Sequence, residues 1–422
     1  MWTNWSGGQQ ARPRATERPL DESGVVAAIR RAADRGVRVR PTGAGLSWSP
    51  LSVTDEVLLD CSALTGVVSA DDGRVRVRAG APLRALLAAL AEQGRTLAAV
   101  PAWDAMTVAG AVATGTHGSG ARLGSLSALV RGVRLVDGGG TVRWVEGPDL
   151  DAVRTGLGAL GVVTEVELAV EPAGFLEVGE ELRPLADLLA EGFLDAHHRA
   201  EIEVFPGGQA LARWADPVEP DDPAGEQAAL PARPGTVRAG TVRAAVGSAQ
   251  ALGRVVPPLA PVLRRSAGRW GGPTTGRPHE VLVDDRPERV EQTEWALPRA
   301  ALDSALRELE SAVTARGIAV RPPVRVRVGA AETGWLHPAY GRATAWVAVR
   351  APRGGDHLAA FGLVGSVLAG AGGRPHWAGR HDWTVAEVEA SYPRLADFRR
   401  VRDRLDPDRR FTNPHLDALL GP

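Results

Sequence analysis

The sequence predicts an α+β protein of two domains and a C-terminal segment that returns to the first. Three observations carry this. Short strand-like and helix-like segments alternate up to about residue 170. A second set of strand-like pieces with two long helical patterns follows, and the last fifty residues change texture again. At 422 residues, the chain is also longer than one hydrophobic core usually serves.

In order along the chain, Val25–Arg35 repeats apolar residues at helical spacing, and Val37–Arg40 then alternates as a strand does. A Pro-Thr-Gly-Ala-Gly turn follows at 41–45. Glu56–Asp60 and Arg74–Arg78 read as further strands, with Asp71-Asp72-Gly73 as the turn before the second. Pro82–Gly94 has proline in its first turn and glycine after its end, the asymmetry of a helix. Val108–Gly120 is nearly all Ala, Gly, Thr and Ser, too small-sided for a normal core helix. Strands are expected again at Val130–Val136, Thr141–Val145 and Val162–Val170, the last after a Gly-rich stretch at 156–161.

The second part opens more loosely. Residues 215–240 and 270–287 are rich in Pro, Asp, Ala and Gly and are expected to be long loops. Strands are predicted at Ala200–Phe205, Val324–Val328 and Ala343–Val349, and helices at Arg299–Gly317 and His357–Gly370. Val385–Leu405 reads as one arginine-rich helix ending at Asp406-Pro407. The expected domains are therefore 1–172, 173–370 and the segment 371–422. There is no internal repeat.

Composition narrows the chemistry. All 49 Lys+Arg residues are arginine, which reads as the codon bias of a high-GC genome. Without a lysine amine the chain can form no Schiff base and has no phosphate-binding lysine of a Walker loop. A net charge of −1 predicts no general attraction to nucleic acid or to anionic membranes. Cys61 is the single cysteine, so neither an internal disulfide nor a cysteine-rich metal site is expected. It is read as a small buried hydrophobe, and the adjacent His197-His198 as surface. No metal site is predicted. No signal peptide follows Met1, and no apolar run approaches the roughly 18 residues of a membrane span. The expectation is a cytoplasmic chain with no membrane partner.

Two glycine-rich segments stand out. Pro41-Thr42-Gly43-Ala44-Gly45-Leu46-Ser47 directly follows a strand, and glycines there let backbone N–H groups converge on an anion. The run from Gly110 through Thr114-Gly115-Thr116-His117-Gly118-Ser119-Gly120 offers a thin backbone surface, hydroxyls and an imidazole. Together they can hold a pyrophosphate between them. Neither is the G-x-G-x-x-G of a dinucleotide fold nor a Walker loop.

With Asn4-Trp5-Ser6-Gly7, Thr116–Leu123, Gly156–Val163, Arg374-Pro375-His376-Trp377-Ala378, Asp406-Pro407, Phe411 and Asn413, these motifs resemble one family in their order and spacing. The family is the aldonolactone oxidases and dehydrogenases and the alditol oxidases, FAD flavoproteins of the vanillyl-alcohol-oxidase type. The resemblance implies a two-part FAD-binding domain and an α+β cap domain with an antiparallel sheet. It also implies FAD held by residues 41–47, Pro101, Gly110, Thr114–Gly120, Gly158, Gly161, Val163 and Asn413.

The chain departs from that family at informative places. Leu46 stands where oxidase members carry the histidine bonded to flavin, so FAD is expected to be non-covalent. Pro101 falls where a residue governing oxygen access lies, which points the other way, so O2 and another acceptor both stay open. On one cap strand the family has Glu-x-Arg, and here it reads Val324-Arg325-Val326-Arg327-Val328. Period-2 alternation puts Arg325 and Arg327 on one face. Arg327 matches the family arginine, whereas Arg325 replaces the carboxylate by a cation and Gly379 stands in place of the family lysine. Two guanidiniums on one face can grip an acid. The expectation is hydride transfer to flavin N5 from a polar C–H/C–OH substrate bearing an acidic group, either sugar-derived or a natural-product intermediate. His376 and Glu294 are both candidate bases. An ordinary alditol or aldonolactone oxidase or dehydrogenase is one alternative, and a flavin-binding scaffold without catalysis is the other.

Overall fold

The computed structural model describes residues 1–71, 73–219, 273–284, 289–353 and 357–421. The N-terminal part contains two larger sheets beside two two-stranded ones. Ala15–Glu17, Val57–Asp60 and Val39–Thr42 pair in parallel in that order. Helix Glu22–Asp34 begins where Asp21 accepts the Gly24 N–H at 2.8 Å. Its stripe of Val25, Ala28, Ile29 and Ala32 is buried in one cluster with Val39, Val57 and Leu59 of that sheet. Strands Val142–Val145, Val130–Val136, Val162–Ala169, Arg74–Arg78 and Val67–Ala70 form a five-stranded antiparallel sheet. Helix Leu83–Glu92 buries Leu83, Leu86, Leu87 and Leu90 in the same core.

The second part is one eight-stranded sheet. Its order is Thr274–Gly276, Phe175–Pro184, Gln209–Val218, Arg199–Phe205, Val324–Gly329, Thr344–Pro352, Val290–Pro298 and Arg374–Pro375. Every pairing in it is antiparallel, so the α+β class predicted from the sequence is the class the chain adopts. One face is apolar: Val326, Val328 and Val347 share a core with helices Leu302–Arg316 and Leu358–Gly370. The opposite face is charged, because successive residues of a strand point to opposite sides. Among the described residues, no helix is long and apolar enough to cross a membrane.

Several local expectations change. Val108–Ala113 is a helix, if a short one, because Val108, Ala111 and Val112 bury against the first core. Its small side chains let it approach closely rather than preventing it from forming. Val385–Leu405 is two helices, Val385–Ser391 and Leu395–Leu405, broken where Pro393 supplies no N–H. The strand predicted at 37–40 runs from Val39 to Thr42, and Asp72 of the predicted turn lies outside the described residues. Of the two expected long loops, 215–218 ends a strand, and Thr274–Gly276 and Pro278–Val281 are ordered as strand and helix. Residues 220–272 and 285–288 lie outside the described residues.

One buried side chain ties the C-terminal segment to the N-terminal part. Arg40 is 2 % exposed. Its Nε donates to the Leu51 carbonyl at 2.9 Å and its Nη1 to those of Gly158 and Phe411 at 3.1 and 2.7 Å. Nη2 donates to Leu157 at 3.0 Å. Burial, aided by Arg402 and opposed by Asp406 and Asp417, lowers its pKa to about 9, and four carbonyls take its hydrogen bonds. Arg40→Ala leaves those carbonyls unsatisfied and is expected to cost about 3 kcal/mol or more of stability. Arg40→Lys keeps the charge without the fork and restores only part of it. Urea midpoints check both, and a wild-type midpoint for the Ala variant would remove this role.

Candidate active site

A cleft enclosing about 1560 Å³, its open mouth included, lies between the N-terminal sheets and the charged face of the eight-stranded sheet. All of residues 41–47 line it, as do Pro101, Gly110, Thr114, Thr116, His117, Gly158, Gly161 and Val163. Arg325, Arg327, Glu294 and His376 line it from the other side. The sequence therefore brings both glycine-rich loops and all four candidate catalytic residues to one wall or the other.

The rest of the predicted set sits elsewhere. Asn413 caps helix Pro414–Leu420 through Leu416 N–H, and its amide donates to the carbonyls of Pro50 and Val53 at 2.9 and 2.8 Å. It holds the loop after residue 47 from behind and does not line the cleft. Ser119 and Gly120 stitch their loop to the eight-stranded sheet, while Gly118 packs where a Cβ would stand 2.7 Å from the Val100 carbonyl. Gly120 N–H bonds the Val328 carbonyl at 2.9 Å, and Ser119 Oγ bonds the Ala200 carbonyl. Gly120 has φ +151°, and a Cβ there would meet the His198 carbonyl at 2.6 Å. Gly115 lies behind the wall, where a Cβ would stand 2.7 Å from His337 Nε2.

Sequence reasoning missed Arg40, Gln292 and Arg350, which also line the cleft, and the carboxylates behind its floor. Register builds that floor. Arg327 lies opposite Glu201, and Arg325 opposite Glu203, on the neighbouring strand. Arg327 Nε bonds Glu201 at 3.1 Å, and Arg325 Nη2 bonds Glu203 at 2.8 Å with Asp284 at 3.7 Å. Arg213 continues the alternation, 3.8 Å from Glu201 and 3.5 Å from Glu180. Arg325 is 5 % and Arg327 8 % exposed, so this is no solvated face. The charge reversal expected from Arg325 is cancelled, because carboxylates one strand away compensate it. Arg325 Nη1 and Arg327 Nη2 are nonetheless buried without a hydrogen-bond partner. Gly379 sits tight against the same floor, where a Cβ would stand 3.2 Å from Glu294 N.

Glu294, His117 and His376 form a buried cluster whose polar atoms lie within 4.8 Å of one another. Glu294 is neither exposed nor paired with a surface cation. Its Oε2 accepts from Gln292 Nε2 at 3.2 Å, and its Oε1 stands 3.6 Å from His117 Nε2. Gln292 in turn accepts from Arg350 Nε at 2.8 Å. His117 stacks on Trp346 at 3.8 Å between ring centroids, and its Nδ1 meets the Gly118 carbonyl at 2.8 Å. His376 Nδ1 accepts the Ala378 N–H at 3.3 Å, and burial pushes its pKa down to about 4. A neutral His376 therefore carries its proton on Nε2, which then has no lone pair for a metal.

The opposite end of the cleft suits a dinucleotide. Gly43 is a close-approach point, since a Cβ there would fall 2.1 Å from Thr107 Oγ1, and Gly45 and Gly158 take φ +63° and +66°. Thr42 Oγ1 is buried on this wall with no protein partner, a donor available to phosphate. Cys61 also lines the cleft, but burial and Asp60 push its thiol up to about 12, which keeps it unreactive.

Residues 166–419 match the D-arabinono-1,4-lactone oxidase family, and residues 13–146 match an FAD binding domain. The L-gulono-1,4-lactone dehydrogenase of Mycobacterium tuberculosis is 35 % identical over 432 residues, covering 100 % of this chain and 99 % of that protein. The alditol oxidase of a Streptomyces species is 33 % identical, covering 99 % and 98 %. Among solved structures, a cholesterol oxidase from Brevibacterium sterolicum superposes with a TM-score of 0.77 at 18 % identity, over 99 % of this chain and 96 % of that one. That likeness bears on the fold alone. Gly43→Ala is expected to weaken FAD binding by about tenfold or more, or about 1.4 kcal/mol. Gly73→Ala, where a Cβ meets open space, should bind FAD as wild type does. Titration of apoprotein with FAD reads both.

Proposed function

Because the chain belongs to the D-arabinono-1,4-lactone oxidase family, we propose that it oxidises a CH–OH group of a neutral polyol or its lactone, with FAD as hydride acceptor. The chain is an FAD-dependent oxidoreductase of the aldonolactone and alditol oxidase type; the substrate class is the inference. Its support is the charge balance of the cleft floor. Arg325 and Arg327 are each matched by a carboxylate on the adjacent strand, so neither is a bare cation awaiting an acid. What each arginine still offers is one unpartnered NH2 group, Nη1 of Arg325 and Nη2 of Arg327, suited to a hydroxyl or carbonyl oxygen. The full-length relatives are named for a sugar lactone and for alditols, which fits such a floor.

FAD would be held by the 41–47 loop, Thr114, Thr116 and Gly158, and it would supply the atom that accepts the hydride. We read it as non-covalent, since Leu46 has no nucleophilic atom at the position where oxidases carry their histidine. Precipitation with trichloroacetic acid should release all the flavin into the supernatant; flavin in the pellet would contradict this.

For the substrate, the measurement is anaerobic bleaching of the bound flavin by alditols, aldonolactones and the corresponding aldonates. Polyols or lactones should bleach it, and the aldonates at least about tenfold more slowly, a difference of about 1.4 kcal/mol. Faster bleaching by an aldonate would overturn the neutral-substrate reading. Glu203→Gln uncovers part of the Arg325 charge and should narrow that gap. Re-admitting air to the same cuvette distinguishes O2 from another acceptor.

A further inference from the structure

We propose that Glu294 takes the hydroxyl proton of the substrate, with His117 as the positioning residue that fixes it. This rests on the CH–OH reading above. In that reaction the C–H bond breaks with its electron pair moving to the flavin as hydride, a C=O bond forms, and the O–H proton must go to a protein group.

Few groups along the cleft can receive it. Arg325, Arg327 and Arg350 are donors only. The Ala378 N–H occupies His376 Nδ1, and the Gly115 backbone faces the ring as a partner of its protonated form. A neutral His376 thus presents no free lone pair to a substrate. Glu201 and Glu203 are tied to Arg327 and Arg325 and do not line the cleft. Among the described lining residues, Glu294 is the one carboxylate.

Its surroundings are those of a poised acceptor. A carbonyl can only accept, so the 2.8 Å contact with Gly118 O requires a proton on His117 Nδ1. The other nitrogen faces Glu294 Oε1 at 3.6 Å, and two lone pairs would repel there. Ala348 lies opposite both Glu294 and Arg325 in the sheet register. Its methyl leaves a slot between them, about 10 Å wide backbone to backbone, or two strand spacings. A hydroxyl in that slot lies between Arg325 and Glu294, the two side chains that flank Ala348 in the sheet.

Burial raises the proton affinity of Glu294. The adjacent His117 and the Arg327 guanidinium outweigh it and hold the carboxyl well below its ordinary range. Gln292, braced by Arg350, donates from the same strand. Such a carboxylate is a weak base at rest, yet a sufficient one here. As hydride departs, the substrate oxygen becomes that of a protonated carbonyl, a far stronger acid than any carboxylic acid.

The test is anaerobic stopped-flow reduction of the FAD-loaded enzyme by L-gulono-1,4-lactone and by sorbitol across pH. Glu294→Gln should lower the limiting reduction rate by about 100-fold or more, with FAD content, visible spectrum and dithionite reducibility unchanged. Glu294→Asp should recover part of that rate, and it is the deciding variant if the glutamine form loses FAD. His117→Gln should remain reducible but move the acid limb of the profile to higher pH, a shift that a purely structural role would not produce. A glutamine variant reduced within threefold of wild type, or an aspartate variant no better than glutamine, overturns the assignment and leaves the substrate reading intact. If neither probe bleaches the wild type, the polyol and lactone reading fails and the assignment fails with it.

Discussion

The cleft depends on a cation whose hydrogen bonds all go to backbone carbonyls. Arg40 sits in the interior at the start of the loop that forms one wall, and its guanidinium bonds the backbone of three separate stretches: Leu51, Leu157 with Gly158, and Phe411. A planar fork with donors in fixed directions can satisfy four carbonyls at once, and an ammonium cannot. Each of those carbonyls belongs to a segment that faces the cleft or braces it. The Gly158 turn lines it, the loop near Leu51 carries Trp48 onto the Ala378 carbonyl at 2.7 Å, and Phe411 precedes the Asn413 cap. Removing the fork would free the wall, the turn and the tail together, because all three find their register against one side chain.

The opposite wall obeys a different constraint, that of antiparallel register. Glu180, Arg213, Glu201 and Arg327 lie opposite one another in sequence across four strands, and each meets a neighbour of opposite sign. A one-residue slip on any strand would put these charges into the apolar core beneath and bring Ile202 or Val326 to the cleft. The charged row therefore fixes the pairing as firmly as the hydrophobic face does. A structure that needs Glu294 and Arg325 on either side of Ala348 gains that placement from the same pairing.

Much of this was legible in the chain, and the limits have physical causes. The 41–47 loop, the His117 run and the alternating arginines are local patterns, and local patterns survive in sequence. The glutamates that pair with Arg325 and Arg327 are more than a hundred residues away, and nothing in Glu201-Ile202-Glu203 names its neighbour. The alternation of that segment nevertheless mirrors Arg325-Val326-Arg327 and was the available signal. Val108–Ala113 was misread because small side chains were taken as a failure to fill a core, where they serve close approach instead. Gly118–Gly120 and Asn413 sit in motifs with the right residues, yet they bind backbone and not the cleft. A motif records that geometry matters at a position without saying which side of a loop uses it.

The arginine-for-glutamate exchange then has a simpler physical meaning than a change of substrate charge. Moving the cation onto the strand at residue 325 while carboxylates stand at Glu203 and Asp284 keeps the charge of the floor level. It inverts the direction of the hydrogen bonds the floor offers. On the proposed reading, Arg325 would donate to a substrate hydroxyl where a glutamate would accept from it, and accepting would be left to Glu294 across the Ala348 slot. A hydroxyl held by a donor on its oxygen and an acceptor on its proton is polarised toward losing that proton. The exchange thus separates holding the oxygen from taking the proton between two strands, with a single methyl between them.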